Sequence, residues 1–232
     1  MSDFFSFERV IDYFPKILSR FHITLSIVIT ATIIGLLLGV VIAFIRIKKI
    51  VVLNQFALIF ISFVRDTPII IQMFLVYYGL PVLVETAFQI DINRWDKLIF
   101  IIITYGLNEA GFMAEIIRAS ILAVPAGQTE AGYSVGLTGR QTFLRIVAPQ
   151  ALRIAIPPLG TDFVGLFQGT SLAYLLGIID ILGKVNVIGA NTYHYLEGYI
   201  CASVIFVVVS FVLERAFQLL DKQLNCNGNN FS

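Results

Sequence analysis

Residues 23–45 read ITLSIVITATIIGLLLGVVIAFI, 23 consecutive positions without a charged side chain. At ~1.5 Å rise per residue, a helix of this length crosses the ~30 Å hydrocarbon core of a bilayer. Ala31, Gly35, Gly39 and Ala43 recur at every fourth position, a stripe of small residues along which another helix can approach closely. The rest of the chain is of the same character. Of its 232 residues, 58% are hydrophobic and only 13% charged, with a mean hydropathy of +0.88. Ordinary soluble domains carry about 25% charged residues. A chain this apolar cannot solvate its whole surface, so a soluble monomer is excluded, and intrinsic disorder with it. The formal charge of +1 gives no basis for a nucleic-acid partner. Cys201, in an apolar run, and Cys226, in a polar tail, make no disulfide framework. The sequence is that of an all-α integral membrane protein.

Three further runs are apolar enough to cross a bilayer: Leu98–Ile117, interrupted by Glu109 and Glu115; Ile154–Leu182, opening with Pro157-Pro158; and Tyr199–Leu213, which extends backward through Tyr193. Ile50–Val84 is ambiguous, because Arg65-Asp66-Thr67-Pro68 lies in its middle. It reads as one long bent span or as two short ones. Basic residues collect on the cytoplasmic side of membrane proteins, and this favours one span. With five spans, one side holds Arg46, Lys48, Lys49, Arg118, Arg140, Arg145, Arg153, Arg215 and Lys222, against Arg9, Lys16, Arg20, Arg94, Lys97 and Lys184 on the other. The expected topology is about five transmembrane helices with the N-terminus outside and the C-terminus in the cytoplasm. Trp95 and Tyr193 fit interfacial anchors.

Residues 1–21 lack the basic start and small-residue cleavage site of a signal peptide. Phe7, Val10, Ile11, Phe14, Ile17, Leu18 and Phe21 recur at spacings of three and four, which predicts an amphipathic helix at the membrane interface. Residues 22–220 form a single membrane domain, followed by a polar tail at 221–232. The longest polar insertion, 119–153, falls on the cytoplasmic side and far exceeds the usual connection of about 4–6 residues. Within it, Thr129 can cap a short helix over Glu130–Val135, Gly136 stands where that helix would end, and a second helix is expected over Arg140–Ala148, stopping before Pro149.

In this insertion Glu130-Ala131-Gly132, then Gly136, then Ile146 and Pro149 resemble the loop signature of the membrane subunits of ATP-binding-cassette importers. That pattern is Glu-Ala-Ala, three residues, Gly, nine residues, Ile, one residue, Leu-Pro. The spacings match; Gly132 replaces the second Ala and Ala148 replaces Leu. Other segments are similar to the polar amino-acid branch of that family: Arg65-Asp66-Thr67-Pro68 with Gln72, Ala114–Arg118, Val124–Gln128, Pro157–Gly160 and Thr170-Ser171-Leu172. Asp66 stands where many members carry Gly, and Gln168-Gly169 where many carry Lys-Asp. The resemblance implies a type I importer permease fold. It also implies separate ATPase subunits holding ATP and Mg, an extracellular solute-binding protein, a second permease chain (a copy or a relative), and an amino-acid substrate, in a bacterial cytoplasmic membrane. The cytoplasmic segment carrying Glu130, Ala131, Gly132, Gly136, Ile146 and Pro149 would couple to the ATPase.

The chain has no phosphate-binding loop of the Gly-x-x-x-x-Gly-Lys-[Ser/Thr] type, so no cofactor is expected on it and no catalytic residue. His22 and His194 are isolated, which argues against a metal site. For the solute pathway the candidates are polar residues inside the spans, where charge is expensive. Glu109, beside Asn108, either holds a solute ammonium or is a protonated carboxyl bonded to a neighbouring helix. Arg65 and Asp66 contact solute or pair structurally. Gln72, Gln168, Thr170 and Ser171 suit a zwitterion's carboxylate or bond between helices. Glu115 and Arg118, three apart, are expected to pair with each other. An ion-coupled secondary transporter is the rival reading; it would show internal repeats and paired broken helices, and five unequal spans without evident self-similarity argue against it, although the chain does break at Pro68.

Overall fold

A computed structural model describes residues 5–226, so residues 1–4 of the N-terminal segment and the end of the polar tail lie outside the described residues. Eleven helices are described and, among these residues, no strand: α1 (Phe7–Leu18), α2 (Phe21–Lys48), α3 (Val51–Asp66), α4 (Ile69–Phe74), α5 (Leu80–Phe88), α6 (Lys97–Leu122), α7 (Ala126–Ser134), α8 (Gly139–Thr142), α9 (Ala148–Gly169), α10 (Ile181–Thr192) and α11 (Tyr195–Cys226). Four continuous stretches are long and apolar enough to cross a membrane, and a fifth follows if Gly139–Leu176 and Ile181–Thr192, bent by 43°, are one broken span. The count agrees with five.

The second span differs from the expected one in its limits. Ile69–Phe88 is the 20-residue stretch that can cross, and α3 precedes it as a separate helix of 16 residues. The break has a local cause. Thr67 is extended, at φ −110° and ψ 139°, as a residue before proline prefers, and Pro68 has no N–H to continue the ladder. A five-residue π-turn, Leu75–Gly79, joins α4 to α5 just before Pro81.

The centre of the bundle is the seam between α2 and α6. A Cβ on Gly39 would stand 3.0 Å from Met113 Cβ, and one on Gly106 would stand 2.8 Å from Ile34 Cγ2. Gly35 is tighter still, against Glu109. The small-residue stripe of the opening run is therefore the packing face, and in lipid such close backbone approach substitutes for a hydrophobic driving force. Contacts advance in the same direction along both helices, so α2 and α6 are parallel, and α3–α5 provide the return. At one end of the seam, Arg46 bonds Glu115 at 3.1 Å, and Glu115 also pairs with Arg118, as their spacing predicts.

Amphipathic α1 is pinned to the hairpin of α10 and α11. Tyr13 and Ile17 are buried with Ile181, Val185, Cys201 and Ile205. Arg9 clamps the fully buried Glu197, with NH2–Oε1 and Nε–Oε1 distances of 2.8 Å. Phe7 and Ile11 remain exposed on its other face.

Candidate functional site

Two places collect the polar residues singled out in the sequence. The first lies halfway along the seam. Val64 would normally bond the N–H of residue 68, but that residue is proline; Gln72 Nε2 takes its place, donating to the Val64 carbonyl at 2.8 Å and the Thr67 carbonyl at 3.0 Å. An unpaired carbonyl at this depth costs several kcal/mol, so the Gln72 amide repairs the break in α3–α4. Its Oε1 accepts from Asn108 Nδ2 at 3.0 Å. The donors of Gln72 are consumed and it orients Asn108. That leaves Asn108 Oδ1 as a free acceptor beside Glu109.

Glu109 is 3% exposed. Its carboxyl interacts with that of Asp162 from α9, while Glu109 Oε2 and Asp162 Oδ2 have no hydrogen-bond partner. Two carboxyls facing each other in a low-dielectric interior repel strongly when both are ionised. A proton shared in a carboxyl–carboxyl hydrogen bond removes that repulsion, and so does a cationic group beside the pair, which can also satisfy the orphaned oxygens. Asp162 was not singled out from the sequence. Its signal was an acidic residue inside the apolar run Ile154–Leu182, which by itself marks a functional position.

The other candidates are dispersed around this cluster. The Arg65 guanidinium lies over the Phe112 ring, 5.7 Å from its centroid, and Phe112 is one helical turn from Asn108 and Glu109. Asp66 is exposed on the same break. Gln168 Nε2 donates to Ser210 Oγ on α11 at 3.1 Å. Gln168 and Ser171 line a cavity of about 460 Å³ shared with Ser210 and Glu214. Thr170 is fully buried and its hydroxyl donates to the Phe167 carbonyl at 2.7 Å, so it faces into the bundle.

The second place is the insertion between α6 and α9. Helix α7 begins at Ala126, after Pro125 in an extended conformation with no side-chain cap, and not at Glu130. Thr129 is thus inside the helix and caps nothing. Proline at this position sets the entry of the chain and starts the helix a turn earlier than the Thr signal suggested. The end agrees with expectation: Gly136 has φ +78°, and Leu137 N–H donates to the Gly132 carbonyl at 3.1 Å, a closure that needs the left-handed conformation glycine tolerates. A capping box then starts α8, with Thr138 N–H donating to Gln141 Oε1 at 2.9 Å.

The second helix of this insertion is also corrected. Only Gly139–Thr142 is α-helical, a π-turn spans Phe143–Val147, and Pro149 does not stop a helix but lies in the first turn of α9. The missing N–H of proline costs nothing in a first turn.

The departure at Gly132 has a structural reason. It is buried, and a Cβ there would fall 2.6 Å from Thr142 Cγ2 and 3.1 Å from Ile146 Cδ1. Gly132 and Ile146 thus form the inner side of one packed unit, anchored to the bundle through Val124, Val147 and Ala151. Glu130, Ala131 and Gly136 are exposed, with Tyr133 at 55% and Val135 at 73%. A rigid helix with one face anchored and the other bare is suited to being gripped.

Residues 15–225 match the family of binding-protein-dependent transport system inner membrane components. The L-cystine transport system permease protein TcyL of Bacillus subtilis is 37% identical over 98% of this chain and 95% of its own length. The probable amino-acid permease protein YxeN of the same organism is 35% identical over 94% of this chain and 95% of its own. Among solved structures, an amino acid ABC transporter crystallised with histidines superposes with a TM-score of 0.84 at 28% identity, covering 94% of this chain and 99% of that one. Built around a parallel glycine seam, with a carboxyl pair at mid-membrane and an anchored helix at one end, the chain belongs to the binding-protein-dependent transport system inner membrane components and is a membrane-spanning permease subunit of an amino-acid ATP-binding-cassette importer.

Proposed function

We propose that this permease carries a polar amino acid inward, a cystine-like solute included, and that Glu109 and Asp162 hold the solute's ammonium group. The carrying observation is the contact between the buried carboxyls of Glu109 and Asp162, each of which keeps one oxygen without a hydrogen-bond partner. Asn108 Oδ1 accepts from the same ammonium, Gln72 orients Asn108, and Arg65, stacked on Phe112, takes the carboxylate. Cystine carries two ammonium–carboxylate ends; that TcyL is an L-cystine permease supports including it.

ATP and Mg are held by partner ATPase subunits, which grip the exposed face of α7, and an extracellular binding protein delivers the solute. The N-terminus is outside and the Arg46 end of the bundle is cytoplasmic, a reading supported by the excess of basic residues at that end. A second permease chain packs on α9 and α11. There Thr161, Gly165 and Gln168 face Glu214 and Asp221 across a cavity of about 460 Å³. Phe217 packs on Gly160, which places Glu214 near the depth of Asp162, where lipid would not cover a carboxylate.

Proteoliposomes holding the complete transporter, with ATP inside and loaded binding protein outside, test the reading. Glu109→Gln and Asp162→Asn each reduce uptake of the delivered amino acid at least tenfold, at unchanged reconstitution. Wild-type uptake in both variants removes the carboxyl pair from the site. Uptake driven by an ion gradient without ATP overturns the importer reading itself.

A further inference from the structure

The carboxyls of Glu109 and Asp162 are hydrogen-bonded to each other, and Glu109 is 3% exposed. Neither is in an ion pair among the described residues. The elements packed on them bring no neutralising charge. Helix α2 meets Glu109 with Gly35, and α4 reaches Asn108 with the uncharged Gln72. The Arg65 guanidinium of α3 lies over Phe112, and the carboxylate it acts on is Glu115. Arg46 and Arg118 are held by Glu115 as well. Arg153 is more than two turns away along α9. On α11, which packs on α9, Glu214 lines a cavity with Thr161 and Gly165 that Asp162 does not line.

A hydrogen bond between two carboxyls contains a proton by necessity, because an ionised carboxylate can only accept. That proton alone leaves the pair with one net negative charge. Such a charge inside a membrane costs ~2.5–3.5 kcal/mol on insertion scales. No donor offsets it, since Glu109 Oε2 and Asp162 Oδ2 are without hydrogen-bond partners. A second proton brings the empty pair to neutrality, with Asn108 Oδ1 as the neighbouring acceptor. When a solute ammonium arrives, the site stays neutral only if one of the two protons leaves.

We propose that the empty pair carries two protons and that each solute ammonium displaces one of them, so that the permease exchanges a proton for every solute it takes up. The exchange rests on the ammonium site proposed above. The O–H bond of one carboxyl breaks, its proton passes to water on the extracellular side, and the carboxylate left behind accepts from the ammonium. The other proton stays in the hydrogen bond between Glu109 and Asp162. When the solute leaves toward the cytoplasm, the carboxylate takes a proton from that side. One proton thus moves outward for each solute moved inward, while ATP hydrolysis supplies the drive. Full or empty, the site has no net charge, and the spans rearrange without carrying an uncompensated carboxylate through the bilayer.

Calorimetric titration of the complete detergent-purified transporter, in buffers of equal pH and different ionisation enthalpy, counts the protons. L-cystine, L-arginine and L-glutamate serve as probes, since all three carry an α-ammonium. Each probe that binds the wild type releases about one proton, and its apparent Kd rises roughly tenfold when the proton concentration does, because the coupling is reciprocal. The infrared difference between empty and occupied states shows loss of the carbonyl stretch of one protonated carboxyl. The double variant Glu109→Gln/Asp162→Asn shows no such loss. The wild-type titration needs no variant, so its result stands even if the double variant does not assemble. Binding without proton release, at a Kd independent of pH, overturns the exchange; the ammonium site survives that result if Glu109→Gln and Asp162→Asn each still lose uptake. Wild-type uptake in those single variants overturns the ammonium site and the exchange together, and so does failure of all three probes to bind.

Discussion

Glu109 and Glu130 are both acidic residues on helices of the same chain, yet their surroundings were assembled in different ways. Glu109 is 3% exposed; its own neighbours come from α2 and α9, and the adjacent Asn108 is held by Gln72 of α4. Glu130 stands exposed on a helix of nine residues whose start, end and packing partner all lie within residues 125–146. The first environment exists only when distant spans meet; the second is nearly complete within one local stretch. On the proposed reading, the comparison teaches that a permease separates a site that must exclude water and lipid from a surface that must remain available to another protein. Mutations in the two regions should therefore fail differently.

Gly35→Leu gives the largest expected effect. Even a methyl group at this position overlaps Glu109, and several added methylenes force α2 and α6 apart at a cost of about 3 kcal/mol or more. The folded protein should largely disappear from membranes, measured by its level and by the thermal midpoint of what can be purified. Normal level and normal uptake would break the claim that the mid-membrane site depends on the seam.

Glu130→Lys should lose most coupled uptake while leaving stability within ~0.5 kcal/mol, as befits an exposed surface position. Binding of the ATPase to the variant, followed by co-purification, falls at least tenfold, and ATP hydrolysis no longer responds to loaded binding protein. If uptake persists at the wild-type rate, the exposed face of α7 is not the gripped one.

Gln72→Leu sharpens the contrast from the other side. It leaves the Val64 carbonyl without a donor, at a cost of about 1–3 kcal/mol, and frees Asn108. A lowered thermal midpoint together with a raised solute KM is expected. A changed KM with an unchanged midpoint would mean that Gln72 touches solute directly and repairs nothing.

The smallest effect is expected for Gly132→Ala, which restores the family's usual residue. Alanine gains ~1 kcal/mol in helix propensity, but its methyl meets Thr142 Cγ2, and overpacking costs about 1–3 kcal/mol. Affinity for the ATPase should fall severalfold, and Thr142→Ser, which removes the opposing methyl, should recover it. A variant that binds better than wild type without this second change would show that the segment is looser than it looks.

Much of this was legible along the chain. A 23-residue uncharged run and its every-fourth-residue stripe determined a membrane helix and its packing face, because helical periodicity and bilayer thickness are properties of any sequence. The closure at Gly136 was equally local, since a left-handed residue after a helix is a demand that glycine alone meets cheaply. The start of α7 and the role of Pro149 are not fixed locally: Thr129 and Pro149 both have alternative uses, and only the actual first turns chose between them. The break at Pro68 was visible, but not the repair, because the amide that replaces the missing N–H comes from one turn further along. The tertiary structure alone decided that Asp162 faces Glu109. No pattern in either helix encodes the other's rotation, and the pairing follows only from how α9 packs on α6. What a local segment can satisfy by itself is readable from its residues; a carboxyl whose partner lies 53 positions away is not, since its energy is set by a neighbour that only folding supplies.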